Sequence, residues 1–262
     1  MITSSRAPLA ETDYNLHKSN STYFSDLDVG RLHLLACIMR TGLHKAYRRG
    51  GGAAGGRLAV VLGGVTCGFR REIRPYVGYE VWTRVLAWDG KWLYLVSHVV
   101  RKGAVEPRGY SVQTWRNRGS GGSAQRDKEG VDAQSAIYAT SIAKYVFKSG
   151  RLTVPPERVL VDCELLPPKP EGWGSPPVSV TPAVESGSVE ISAAAVVQGV
   201  ASLPEEEILD TPDNVPVQEE SWTWERIEEE RARGMKIAVH MAELDALQGE
   251  FTAGSRPALG RW

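Results

Sequence analysis

The 262 residues are 42% hydrophobic and carry equal numbers of basic and acidic side chains, 31 each, which suits one sizeable core with peripheral sequence and gives no overall basic bias toward nucleic acid. Three widely spaced cysteines, Cys37, Cys67 and Cys163, read as core thiols of a reducing compartment and exclude a disulfide framework. The first twenty residues hold no apolar leader and the longest apolar run, LAVVLGGV, is far too short to cross a bilayer, so no membrane span is expected and a soluble, cytoplasmic chain is.

Net neutrality conceals an asymmetry. Residues 1–163 hold 24 basic against 13 acidic side chains, while residues 164–262 hold 7 against 18. A basic body attracts phosphorylated or acidic partners, and an acidic tail folded over it would equally explain the split.

The segment STYFSDLDVGRLHLLACIMRTGLHKAY (21–47) predicts one long helix, with Phe24, Leu27, Leu34, Leu35 and Ile38 at helical spacing and a cap from Ser19, Asn20 or Ser21. The glycine run 48–57 ends it, because glycine loses too much backbone freedom for the helix to continue. From Leu58 the period becomes two. LAVVLGGVTCGFRREI (58–73) is a strand candidate, and EVWTRVLAW (80–88) and KWLYLVSHVV (91–100) flank Asp89-Gly90, a strong hairpin signal. Residues 104–135 look like an insertion, and 137–154 resume as a last strand. The residues ahead of Thr12 lack the alternation of a strand. The order predicts an α+β class with the helix lying on an antiparallel sheet. Three parts follow: a folded domain over 1–163, a disordered acidic Pro/Ser-rich linker over 164–220, and a C-terminal helix and tail over 221–262. In that helix Trp224, Ile227, Met235, Ala238, Ala242 and Ala246 form an imperfect stripe through Gly234.

Several motifs fall away. Gly50-x-Gly52-x-x-Gly55 follows a helix and precedes a strand, the reverse of a dinucleotide site. There is no G-x-S-x-G elbow, phosphate-loop lysine, HExxH or CxxC, so neither a metal nor a cofactor is expected. His98 reads as a core histidine, and Cys67 as packing, although Arg70 and Arg71 nearby would favour its thiolate.

What remains is the polar stretch from Asp13 to Tyr23, which ends at the start of the long helix. Unpaired N–H groups and the positive dipole end there can hold an oxyanion. Asp13, one loop upstream, could attack the same carbonyl or activate water as a base. The same residues also fit an Asp13 that only caps a turn and an Asn20 or Ser19 that only caps the helix.

The pattern Thr12-Asp13-x-x-x-His17-x-x-Asn20-x-x-Tyr23 before a long helix resembles the active-site loop of hot-dog-fold thioesterases of the 4-hydroxybenzoyl-CoA type. The stretches HKSNSTYFSDLDVGR, LGGVTCGFRREIRPY, VWTRVLAWDGKWLYLVSHVV and WTWERIEEERARGMKIA are similar to the fungal branch related to animal THEM proteins. The resemblance implies a hot-dog fold, a homodimer with interfacial sites, and hydrolysis of an acyl or polyketide thioester carried on coenzyme A or an acyl carrier protein, in fungal secondary metabolism. It makes Asp13 the nucleophile or base, with His17 and Asn20 positioning water or substrate and Tyr23 at the substrate. Leu16 stands where bacterial relatives have glycine. Arg70, Arg71 and Lys102, near strand ends, are candidate contacts for the phosphorylated arm, or plain surface charges. A hot-dog module that binds acyl groups or docks carriers without turnover is the other reading, and a purely structural interaction protein built around the linker and last helix is a third.

Overall fold

The structure, a computed structural model, describes residues 1–48, 58–107, 133–167, 170 and 223–250. The glycine run, most of the expected insertion and most of the expected linker lie outside the described residues. The elements are β1 (Ile2–Arg6), a 3-10 turn (Leu9–Glu11), α1 (Asn20–Arg48), β2 (Leu58–Phe69), β3 (Gly78–Trp88), β4 (Trp92–Arg101), a 3-10 turn (Ala133–Ala136), β5 (Ile137–Ser149), β6 (Leu152–Val154), α2 (Pro156–Asp162) and α3 (Trp224–Glu243) with a 3-10 extension (Leu244–Glu250).

The sheet order is β1-β3-β4-β5-β2, with β6 paired to β5. One long helix accompanied by this sheet is the hot-dog arrangement, as expected. Two local expectations are corrected, and one element is added. Residues ahead of Thr12 do form a strand: β1 pairs antiparallel with β3 from Ile2↔Trp82 to Arg6↔Gly78, the partner's ladder supplying what five mostly polar residues do not signal. The expected last strand over 137–154 is a hairpin, broken where Gly150 takes φ +61° so that Phe147 returns to face Val154. Pro156 starts a short helix, α2, which buries Val159 and Leu160.

The described residues divide into two compact units: Met1–Leu35, Thr66–Arg84 and Val96–Ile142 in one, and Ala36–Val65, Val85–Leu95 and the chain from Ala143 in the other. In the first unit Tyr23 and Leu27, one helical turn apart, pack on Tyr79, Val81, Val99 and Ala139, with Ala7 and Ile73 closing the cluster. Each of the leucine, isoleucine and valine side chains contributes about 1.5–3 kcal/mol on burial.

In the second unit α3 docks through Trp224, Ile227, Gly234, Ala238 and Met241, all buried. This is the expected helix with a shifted stripe. Gly234 belongs to the contact, since a side chain there would collide with the Leu86 carbonyl oxygen. Ala246 is exposed. Arg231 Nη1 donates to the Trp88 carbonyl at 3.0 Å, and both Asp245 oxygens accept from the buried Lys144 ammonium at 2.7 and 2.6 Å.

Candidate active site

The turn that carries Asp13 is closed by backbone bonds. Thr12 and Lys18 form an isolated antiparallel bridge, Asp13 N–H donates to the His17 carbonyl at 3.0 Å, and Leu16 N–H donates to the Asp13 carbonyl at 3.0 Å. Leu16 closes the turn at φ +60°, a conformation that costs a leucine about 1 kcal/mol or more. That is why glycine suits this position. Asp13 is half-buried, and its Oδ1 accepts from Asn15 N–H at 2.9 Å, the turn-capping bond that an aspartate offers. Among the described residues no hydrogen bond reaches its other carboxylate oxygen.

The turn is carried back to the helix. Ser19 N–H donates to the Glu11 carbonyl at 2.7 Å, so the residue before α1 sits beside one that lies two positions before Asp13. Asn20 is the first, exposed residue of α1. Thr22 donates to the Ser19 carbonyl through its N–H at 3.0 Å and its hydroxyl at 2.8 Å.

A lysine holds this arrangement from below, and no sequence pattern pointed to it. The Lys18 side chain is wholly buried, bonded to Glu11 and 3.0 Å from Asp26, with the Tyr23 and Tyr79 ring centroids 5.6 and 5.4 Å away. Tyr79 Oη donates to Asp26 at 2.7 Å. Burial opposes the lysine's charge, but Glu11 and Asp26 outweigh it and hold its pKa above the ordinary value. One charge thus ties the residues on both sides of the Asp13 turn to the sheet and the helix.

Tyr23 lies in the core at 2% exposure, its ring edge-on to Phe69 at 5.2 Å. Burial pushes its hydroxyl up to about 12, with Lys18 pulling the other way, so the phenol stays protonated at neutral pH. It supports the loop from beneath. His17 Nε2 lies 3.1 Å from Glu72 Oε2, and Lys18 N–H donates to the Ile73 carbonyl at 2.8 Å. The segment after β2 therefore runs alongside the turn.

That segment brings the exposed Arg70 and Arg71 to the same corner, their N–H groups on the Tyr138 carbonyl at 2.8 and 3.1 Å. Arg71 also reaches the Ser135 carbonyl with its side chain. Lys102 is exposed past the end of β4, bonded to Gly78 O at 3.3 Å, and the sheet order sets β5 between it and Arg70. The three cations share one end of the sheet. Cys67 does not join the chemistry: burial raises its thiol pKa, and only Arg31 opposes the shift. His98 is a satisfied histidine, Nδ1 3.0 Å from Thr140 Oγ1, with its pKa lowered by burial and by Arg84.

Comparison with known proteins follows the same lines. The family described as the thioesterase-like superfamily matches residues 7–159. Thioesterase poxG of Penicillium oxalicum is 38% identical over 270 residues, spanning 100% of this chain and 73% of that protein. The probable thioesterase atnL of Emericella nidulans is 43% identical over 176 residues, 63% of this chain and 54% of the relative. Among solved structures, the probable thioesterase YbaW of Escherichia coli is similar at a TM-score of 0.41 and 12% identity, covering 63% of this chain and 96% of that one.

Proposed function

We infer the reaction from the family: this chain belongs to the thioesterase-like superfamily. It is an acyl thioesterase, and the reading offered for its chemistry centres on Asp13. Water held at the Asp13 carboxylate gives up a proton to it and adds to the thioester carbonyl carbon. The charge that develops on the carbonyl oxygen falls at the start of α1, where N–H groups and the dipole stabilise it. The C–S bond then breaks, the sulfur leaving as a thiol with the proton that Asp13 returns. Direct attack by Asp13 reaches the same products through a mixed anhydride that water opens. His17 and Asn20 position water or substrate in either route, and Tyr23 supports the loop.

The observation that supports this reading is the Ser19–Glu11 backbone bond at 2.7 Å, which brings the residue before α1 beside a residue two positions ahead of Asp13. Arg70, Arg71 and Lys102 gather at one end of the sheet, where the phosphorylated arm of coenzyme A or a carrier protein would meet them. A homodimer is supported by β2, a 12-residue strand at the end of the sheet order with Val61, Leu62 and Phe69 exposed, since so long an apolar edge invites a second strand. The fungal relatives, named thioesterases, support thioester hydrolysis, and release of a polyketide from its carrier is the biological step proposed. Among the described residues no helix is long and apolar enough to cross a membrane.

Replacement of Asp13 by Asn tests the assignment. Thiol release from acyl-CoA should fall by about a hundredfold or more, with the melting temperature preserved. Turnover at the wild-type rate would remove Asp13 from the reaction, and a wild type inactive on every acyl-CoA and acyl-carrier thioester would remove the thioesterase reading itself.

A further inference from the structure

Tyr23, Leu27 and Arg31 follow one another at four-residue steps on α1 and so share the face turned to the sheet. The first two meet Val81, Val99 and Ala139. Two positions along each of those strands stand Thr83, Ser97 and Ser141, on the same face because strand side chains alternate. Thr83 Oγ1 and Ser97 Oγ are 2.9 Å apart. Gly30 brings the helix so close that a Cβ on it would lie 3.2 Å from Thr83 Oγ1. An apolar layer is thus followed, one step along the helix, by a polar one.

That polar layer is closed to solvent and incomplete. Arg31, Ser97 and Ser141 are 1% exposed and Thr83 2%. Arg31 Nη2 donates to Asp28 Oδ1 at 2.5 Å, but Nε, Nη1 and Ser141 Oγ have no partner among the described residues. A neutral donor left so costs about 1–3 kcal/mol, and one on a charged group more. A core that needed only volume here would be better served by methionine or leucine. Three buried donors, two on Arg31 and one on Ser141, are thus left without an acceptor among the described residues.

We propose that Arg31 and Ser141 form a polar subsite for oxygen atoms of the acyl chain, so that the enzyme prefers an oxygen-bearing acyl thioester, of the kind a polyketide supplies, to a plain alkyl one. The inference rests on the thioesterase reading above. Eleven residues separate Asn20 from Arg31, or about 16 Å of helix, and the arginine leans back by about one turn to reach Asp28. A chain of about ten carbons spans the remaining ~11 Å. Entry of the chain would part α1 from the strands at Gly30, which faces Thr83, Val81 and Thr3.

The test compares kcat/KM for decanoyl-CoA with that for two probes of equal length, sebacoyl-CoA with a terminal carboxylate and 9-oxodecanoyl-CoA with a ketone. In the wild type the oxygenated probes should be favoured by about tenfold, the size expected when buried donors otherwise stay unpaired. Arg31→Met should bring the ratio to about one, and Ser141→Ala, a change too small to threaten folding, should lower it about fivefold. A ratio near one in the wild type, with decanoyl-CoA turned over, would mean that the layer holds only internal contacts or water, and overturns the inference alone. The same ratio in wild type and both variants overturns it equally. No turnover of any probe would withdraw the thioesterase reading, and this inference with it.

Discussion

The Lys18 ammonium, on a wholly buried side chain, lies 3.0 Å from the Asp26 carboxylate and also binds Glu11. Removing it strands two partly buried carboxylates, which typically costs about 3 kcal/mol or more. Lys18→Met should lose stability of that order in urea denaturation, and lower kcat as the Asp13 turn loosens. Because the folded pKa stands above the unfolded value of about 10.5, the lysine's contribution is complete below that value and is lost as pH rises through the folded one. The gap between wild type and variant should therefore stay constant from pH 6 to 9. A gap that closes within that window would contradict the buried ion pair.

Leu16 is 70% exposed at φ +60°, so it loses backbone energy without gaining burial. Leu16→Gly should stabilise the protein by up to about 1 kcal/mol, the strain relieved being offset by glycine's extra freedom when unfolded. Leu16→Val should destabilise it by about 1 kcal/mol or more. Equal melting temperatures for all three would mean that the turn relaxes to another conformation.

Gly234 is where α3 meets β3, and a side chain there collides with the Leu86 carbonyl. Gly234→Val should lower stability by about 1–3 kcal/mol, as overpacking does. Amide exchange along Trp224–Glu243 should accelerate in this variant. Unchanged exchange protection would show that the helix docks elsewhere.

The lowered pKa of His98, due to burial and to Arg84, makes the unfolded chain the better proton binder. Its stabilising effect is complete above the ordinary histidine value of 6.5 and falls away as pH drops below it. Stability should rise with pH between about 5 and 7, where histidine titrates. His98→Gln should flatten that slope; an unaltered slope in the variant would assign the effect to another group.

The three thiols should react in the order of their access. Cys37 is exposed, Cys67 is half-buried with a raised pKa, and Cys163 is buried. Iodoacetamide at pH 7 should label Cys37 first and Cys163 last, read by peptide mass. Cys67 reacting first would indicate a thiolate that burial disfavours.

The helix over 20–48 and the β3–β4 hairpin were legible because apolar spacing and Asp89-Gly90 are local signals. β1 was not, because Thr3, Ser4 and Ser5 are held by a partner 74 or more residues away. Gly234 looked like a flaw in a helical stripe because a sequence shows a missing side chain but not the carbonyl that needs the space. The Asp13 turn was visible as a polar loop before a helix, and its αL position as a departure from the family's glycine. Lys18 was invisible, since a lysine between histidine and serine reads as a surface charge until two carboxylates and two tyrosine rings surround it. Arg31 was hidden in the same way. Its spacing from Tyr23 and Leu27 marked the face, but only the structure shows that its side chain is closed off from solvent there.

The clasp between α3 and the end of β3 also orders events on the ribosome. Trp88 and Trp224 are 136 positions apart, and at about 5–20 residues per second synthesis needs on the order of ten seconds to cover that distance. Through that interval the strand face that Gly234 and Arg231 will cover stands bare on a nascent chain, a window in which a chaperone, or a neighbouring copy emerging from the same message, competes for it.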